Sequence, residues 1–375
     1  MKEKLGKYIS ENSTRDKGRG YPVFSVTNSK GFCQEFFGKK VASENTSNYK
    51  VVPRGCFAYN PSRINVGSVA CQDKEDFVSV SPIYVIFKVS SNINQNYLMY
   101  YLKSDYCMTY INAYSRGAVR NNLKLSQLGE FEINVPPLAE QERIVAELDL
   151  ISSIIDKKKA QLKEYDQLAQ SIFYSMFGDP ITNEKGWEVK KLGLISTIGT
   201  GATPSREQEE LYYGGDIHWV KTTEVHNCEI TDTEETITQL AIDQTNCKIY
   251  PPNTLLMAMY GQGKTRGQIA KLKIKAATNQ ACAAIMLDET ICDLDFIYEQ
   301  LFIKYDNIRA MAQGGNQANL NMKLVGSIPI ILPSLPLQQQ FASKVKVIEK
   351  QKSLIRQSIK ETETLFNSRM DYYFN

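Results

Sequence analysis

Ala258-x-x-x-x-Gly263-Lys264-Thr265 has the spacing of a relaxed phosphate-binding loop, and Met286-Leu287-Asp288-Glu289 has the form of an acidic strand that would hold magnesium. Such a loop works because a helix starts directly after the Lys-Thr pair, so that its first amides face the phosphate. Here Thr265-Arg266-Gly267-Gln268 follows, and then a lysine-rich alternation expected to be strand. Only residues 266–285 separate the two elements, too few for the intervening helix and strand. The equivalent loop earlier in the chain, Ala58-Tyr59-Asn60-Pro61-Ser62-Arg63, lacks the pattern. Nucleotide binding is not expected.

Other chemistry is equally thin. Asn60-Pro61-Ser62 shares its first two residues with the Asn-Pro-Pro-aromatic tetrad that clamps a flipped adenine in methyltransferases, but the second proline, the aromatic and a glycine-rich cofactor loop are missing. Asp179 with Glu188-Val189-Lys190 imitates a nuclease carboxylate-lysine set and reads better as an exposed strand start. His218, His226 and Cys228 are too few for zinc, so core or surface roles are expected. No catalytic residue, bound cofactor or metal is expected.

Polar loops are more informative. In the first half they hold Tyr59, Asn60, Arg63 and Asn65, then Arg116, Arg120 and Asn121. In the second they hold Tyr260, Gln262, Lys264, Thr265, Arg266 and Gln268, then Gln313, Asn316, Gln317 and Asn319. Arginine and lysine suit guanine edges and phosphates, and asparagine and glutamine suit adenine. Any one of these residues suits a solvated loop equally well. Their recurrence at two matching places with different identities is what two readers of different DNA sequences require.

Those matching places come from a duplication. Asn134-Val135-Pro136-Pro137-Leu138-Ala139-Glu140-Gln141 and Leu332-Pro333-Ser334-Leu335-Pro336-Leu337-Gln338 each run into a long helical stretch, Gln338 standing 197 residues after Gln141. The same shift lays Ile330 on Ile133, Leu320 on Leu123, Asn319 on Asn122 and Gly314 on Gly117. An apolar ladder in steps of three and four runs through Ile144, Leu148, Ile151, Ile155, Leu162, Tyr165, Ala169, Ile172 and Met176. A second runs through Phe341, Val345, Ile348, Ile355, Ile359, Phe366 and Tyr373, and a lysine interrupts each, Lys158 and Lys352. Spans of roughly 33 residues give helices of about 50 Å, spaced to pack on each other as a coiled coil. Val66–Ala70 and Arg266–Ala270, and Val80–Phe87 and Asn279–Met286, read as paired strands or strand ends. Tyr97–Tyr110 and Phe296–Met311 read as shorter amphipathic helices. The expected fold is α+β: two similar α/β domains, 1–135 and 179–332, joined by two long antiparallel helices, 136–178 and 333–375, with pseudo-twofold character.

Composition is that of a globular protein, with 42% hydrophobic and 23% charged residues in 375. The eight cysteines include no Cys-x-x-Cys pair and suit reduced, mostly buried thiols. With a formal charge of +3, any DNA-binding surface must be local or completed by a partner. No apolar run approaches a membrane span and the first residues lack a signal-peptide core, so a cytoplasmic location without membrane contact is expected.

The chain resembles the specificity (S) subunits of type I restriction-modification enzymes over essentially its whole length. The marks are Pro136-Pro137-Leu138-Ala139-Glu140-Gln141-Glu142-Arg143-Ile144, the exit Met176-Phe177-Gly178-Asp179-Pro180, Trp187-Glu188-Val189-Lys190-Lys191-Leu192-Gly193, and Gly214-Gly215-Asp216-Ile217-His218-Trp219-Val220. Pro336-Leu337-Gln338-Gln339-Gln340 departs from the acidic form of the first motif, which weakens a charge contact. The resemblance implies that the two α/β domains are target-recognition domains, and that the chain is a non-catalytic subunit that reads a bipartite, asymmetric site on double-stranded DNA. It implies two modification (M) subunits carrying S-adenosylmethionine, and restriction (R) subunits, where present, using ATP and magnesium. Two other classes compete with this: an ATP- or S-adenosylmethionine-binding enzyme, and a coiled-coil adaptor without sequence specificity.

Overall fold

Proline has no N–H to donate and fits the first turn of a helix, where that donor would be orphaned anyway. Pro136-Pro137 and Pro333 accordingly stand just before two helices of 40 residues, Leu138–Phe177 and Leu335–Phe374. At about 1.5 Å per residue each extends about 60 Å, longer than the sequence suggested. The computed structural model describes residues 2–36, 39–40, 46–115, 122–261, 263–312 and 319–375. It forms two units, Met1–Lys159 with Gln357–Asn375, and Ala160–Arg356, so each unit takes part of both long helices.

The ladders face inward where the helices meet a globular core. Ile144, Leu148, Ile151 and Ile155 are buried in the first unit, and Phe341, Val345 and Ile348 in the second. Toward the middle of the first long helix Leu162 and Tyr165 are only half-buried, and polar bonds take over. In the first unit Lys158 Nζ donates to Ser358 Oγ (2.7 Å) and Thr362 Oγ1 (2.8 Å), and Lys159 pairs with Glu363. In the second, Lys352 pairs with Asp166 (2.7 Å) and Glu349 (2.6 Å). Under the 197-residue shift Lys158 falls on Ile355 and Lys352 on Ile155, so the lysines are not equivalents of each other. Within each unit the two helices run antiparallel, as expected.

In the first unit, strands β1 (Ile9–Glu11), β2 (Phe57–Tyr59), β3 (Val69–Cys71) and β4 (Val85–Val89) form an antiparallel sheet in the order β1-β4-β2-β3. In the second, β5 (Ser196–Thr200), β6 (Cys228–Ile230), β7 (Leu255–Ala258), β8 (Ile269–Leu272) and β9 (Cys282–Leu287) take the order β5-β9-β7-β8-β6, with only β6 and β8 parallel. The first four places of both sheets correspond. A further four-stranded sheet in the second unit includes Tyr213–Val220, where Gly215 passes so close to Ile237 O that a Cβ would stand 2.6 Å from it.

Helices follow each sheet: α1 (Gln95–Lys103) and α2 (Asp105–Ser115), then α3 (Leu294–Ile303) and α4 (Tyr305–Ala310). The sequence suggested one helix at each place. Ser104, with extended backbone, breaks the first and caps α2 by accepting from Cys107 N–H at 3.2 Å, a local bond that competes with helix continuation. Aromatic contacts tie these helices to the long ones. Phe177 meets Phe296 at 4.8 Å between centroids, and Phe374, 197 residues on, meets Tyr97 at 5.1 Å. The chain enters and leaves each globular part through one ribbon, Lys2–Lys4 with Glu132–Asn134 and Val189–Lys191 with Pro329–Ile331. Beside each ribbon two glycines cross, Gly6 with Gly129 and Gly193 with Gly326. An added Cβ would stand 3.1 Å from the facing carbonyl oxygen in the first crossing and 3.3 Å in the second.

Candidate nucleic-acid interface

The loop between β2 and β3 turns back through Gly67 and the loop between β7 and β8 through Gly267, with φ of 85° and 86°. Only glycine takes this left-handed conformation without strain, so both loops are fixed at the same point while their other residues are free to differ.

Two residues expected to contact DNA in the first loop are structural instead. Tyr59 is fully buried and its hydroxyl donates to Leu123 O at 2.9 Å. Burial pushes that phenol well above the ordinary tyrosine range. Asn60 is 9% exposed, and its Oδ1 accepts from Ser62 N–H (3.1 Å) and Ser62 Oγ–H (2.9 Å), building the turn after Pro61. The β-strand ends one residue later than the loop pattern suggested, which brings Tyr59 into the core. Arg63 is exposed and Asn65 half-buried on the turn that follows.

In the second loop Tyr260 and Lys264 are exposed, and Thr265, Arg266 and Gln268 half-buried. No helix follows Lys264-Thr265: a turn leads to Gln268 and then β8, and Asp288 Oδ1 accepts from Thr290 N–H and Oγ1–H in an exposed turn. This geometry offers no row of helix amides to a nucleotide phosphate. The loop leans on α4. Tyr305 Oη donates to Lys264 O, and Arg309 Nη1 donates to Tyr305 Oη at 2.6 Å. Asn319 is half-buried, beside Leu320, whose N–H donates to Met259 O at 2.9 Å. Arg116, Arg120, Asn121, Gln262, Gln313, Asn316 and Gln317 lie outside the described residues.

The remaining candidates for chemistry are dispersed. His218 Nδ1 lies 3.1 Å from Thr233 Oγ1, and His226 Nδ1 lies 4.0 Å from Cys228 Sγ. Lys190 pairs with Glu188 at 3.3 Å, and Asp179 Oδ1 accepts from Ile181 N–H. Among the described residues no group of three or more His, Cys, Asp or Glu is placed to hold a metal ion. All eight cysteines are free and five are buried. Burial pushes the Cys107, Cys282 and Cys292 thiols up to about 12. Among the described residues no helix is long and apolar enough to cross a membrane.

Sequence motifs whose roles were not evident turn out to be fasteners. Gln141 and Gln338 are fully buried and bind the segments that lead into α1 and α3. Trp187 Nε1 donates to Phe177 O at 2.8 Å, closing the first long helix where Gly178 turns left-handed at φ 75°. The signal that could have found the glutamines was recurrence under a constant shift.

A family profile described as the type I restriction modification DNA specificity domain matches residues 2–164 and again 184–364. The chain is 26% identical over 335 residues to the MjaIX specificity subunit of Methanocaldococcus jannaschii, covering 82% of this chain and 74% of that one. It is 24% identical over 241 residues to the EcoR124I/EcoR124II specificity subunit of Escherichia coli, covering 63% and 58%. In fold it resembles a chain from a structure titled for complex assembly and conformational transition of the type I R-M system (TM-score 0.62, 15% identity, 100% and 97% covered). It also resembles the S subunit of M. genitalium (TM-score 0.54, 15% identity, 100% and 96% covered). With two copies of the matched domain spanning most of its length, the chain belongs to the type I restriction modification DNA specificity family.

Proposed function

We propose that this specificity subunit divides its work between its units, each reading one half of a split, asymmetric site on double-stranded DNA. The observation that carries the reading is a shared scaffold with unlike loops. Gly67 and Gly267 hold the same turn, while the exposed residues include Ser62, Arg63 and Val66 in one unit and Tyr260 and Lys264 in the other. Two readers built alike with different contact residues recognise different half-sites, so the full site is not a palindrome. The domains are taken as residues 1–135 and 179–332, with 136–178 and 333–375 as the helices that set the separation of the half-sites.

The helices also supply docking faces. Leu150 (62% exposed) and Leu365 (51%) belong to the first unit, Leu168 (45%) and Val347 (63%) to the second. The 197-residue shift exchanges these pairs, Leu150 for Val347 and Leu168 for Leu365. Two equivalent sets of exposed apolar side chains suit two modification subunits, one to each unit. In this scheme the chain has no catalysis of its own and works in the cytoplasm. S-adenosylmethionine belongs to the modification subunits, and ATP with magnesium to restriction subunits where these are present.

The test is exchange of residues 1–133 for the matching segment of another specificity subunit, with methylated adenines mapped in cells. One half of the methylated sequence is expected to change and the other to persist. Change of both halves together, or of neither, overturns independent readout.

A further inference from the structure

The two units differ at one seam, between the β-loop and the second short helix. Tyr305 stands twelve residues after the helix cap Asp293, as Tyr106 does after Asn94, and Arg309 corresponds in the same way to Tyr110. Lys264 and Ile64 each stand three residues before the left-handed glycine. In the first unit the loop side of this seam is apolar and buried, and its helix side carries the rings of Tyr106 and Tyr110 in place of a cation. Ile64 is 1% exposed in a cluster with Cys107 and Ile111, and Tyr110 lies 5.6 Å from the Phe131 ring.

In the second unit the seam is an open groove of about 670 Å³ with an apolar floor, Phe302 and Ile303, and a polar rim. Lys264 and Gln268 of the loop, Tyr305 and Arg309 of α4, and Gln170 of the first long helix line it. Asp306 also lines it, and among the described residues it forms no ion pair with either cation. Arg309 rests against the loop: a Cβ on Gly267 would meet its Cγ at 3.1 Å. Arg266, in the same loop, keeps a buried Nε without a hydrogen-bond partner. A phenol stands in both copies, but the positions held by Ile64 and Tyr110 in one carry the cations Lys264 and Arg309 in the other.

We propose that this groove is a DNA backbone anchor peculiar to the second unit: Arg309 and Lys264 grip a phosphate, and Tyr305 is a positioning residue that holds the Lys264 turn against α4. The proposal rests on the reading of the loop as a DNA contact. Two cations outnumber the one carboxylate, Asp306, and with a phenol and amides beside them they match the charge and oxygens of a phosphate. The grip adds affinity without sequence information, and it does so on one side of the site only.

The experiment uses the full chain assembled with its modification subunits, carrying Arg309→Gln, Arg309→Lys or Tyr305→Phe, and follows DNA affinity against salt. Arg309→Gln should weaken cognate and unrelated duplexes by the same factor and reduce the magnitude of the logarithmic salt slope by about 1. Arg309→Lys should restore the slope. Tyr305→Phe should weaken binding with an unchanged methylated sequence. Methylphosphonate substitution should abolish the difference between wild type and Arg309→Gln at a single phosphate, within the half-site that changes when the second unit is exchanged. An unchanged slope, a loss confined to cognate DNA, or weakened assembly with the modification subunits in place of weakened DNA binding overturns the anchor. If the wild-type assembly shows no sequence preference at all, the underlying reading of the loops fails instead.

Discussion

Gln141 and Gln338 make the same three hydrogen bonds in different units. Gln141 Oε1 accepts from Asn94 N–H (2.7 Å), and its Nε2 donates to Asn92 O (3.0 Å) and Pro136 O (2.7 Å). Gln338 Oε1 accepts from Asp293 N–H (2.9 Å), and its Nε2 donates to Ile291 O (3.3 Å) and Pro333 O (2.8 Å). One buried amide thus fastens the start of a long helix to the cap of a short one. The acidic residues around the first motif are absent from the second, yet this amide is retained, so the departure at Gln339-Gln340 leaves the fastening intact.

Replacing either glutamine by leucine should therefore cost about 2–4 kcal/mol, because two carbonyls and an amide stay buried without partners. Urea unfolding of the full chain measures it. A loss below about 0.5 kcal/mol would show that water replaces the side chain.

Glu299 gives the second unit a pH dependence. It is 6% exposed, its Oε1 has no partner, and burial pushes its carboxyl up to about 7 despite Lys271 and Lys352; Asp166 and Glu349 raise it further. A carboxyl whose folded value exceeds its ordinary one holds its proton more tightly when folded. The contribution of Glu299 to stability is greatest below the ordinary value near 4.5 and falls as pH rises toward 7, by up to about 3 kcal/mol. Glu299→Gln should flatten this decline and raise stability at pH 7.5. Burial lowers Lys304 to about 8, so its own titration lies above that interval. Equal slopes for wild type and variant in urea unfolding from pH 5 to 7.5 would refute the assignment.

Lys264→Ala should leave the fold intact and weaken DNA binding with a shallower salt dependence, since no helix follows the loop to bind nucleotide. Calorimetric titration with ATP should show no binding to the wild-type chain. Measurable ATP affinity lost in the variant would restore the enzyme reading.

A four-residue insertion after Lys159 should enlarge the unread spacer of the methylated sequence without altering its half-sites. It adds about 6 Å and a rotation of roughly 40° to the helix. Methylation mapping that returns the original spacer would show that the helices do not measure the separation.

Duplication, antiparallel helices and the sheet-plus-helix plan were legible in the sequence because each rests on periodicity or on punctuation by proline and glycine. The failures came where burial decides. Tyr59 and Asn60 look like contact residues beside Arg63, but one extra residue of strand puts a tyrosine in the core, and the asparagine completes a turn. Ser104 split a helix through a capping bond that no apolar period records. Arg309 escaped notice because it lies 45 residues after Lys264 in sequence, and only the fold brings its helix under that loop.

The crossed glycines have an evolutionary consequence. Gly6 with Gly129, and Gly193 with Gly326, pinch the two ends of each globular part together at a ribbon of three residue pairs. Whatever lies between the pinch points is joined to the rest of the chain only at that neck, and packs on the long helices through its core. Recombination that breaks and rejoins genes at the neck transplants an entire reading head with its sheet unbroken, provided the new head packs on the same long-helix residues, such as Leu148 or Phe341, whereas exchange within a head splits its sheet. New DNA specificities should thus arise by wholesale inheritance of heads, with crossover points concentrated at the two necks and sparse between them.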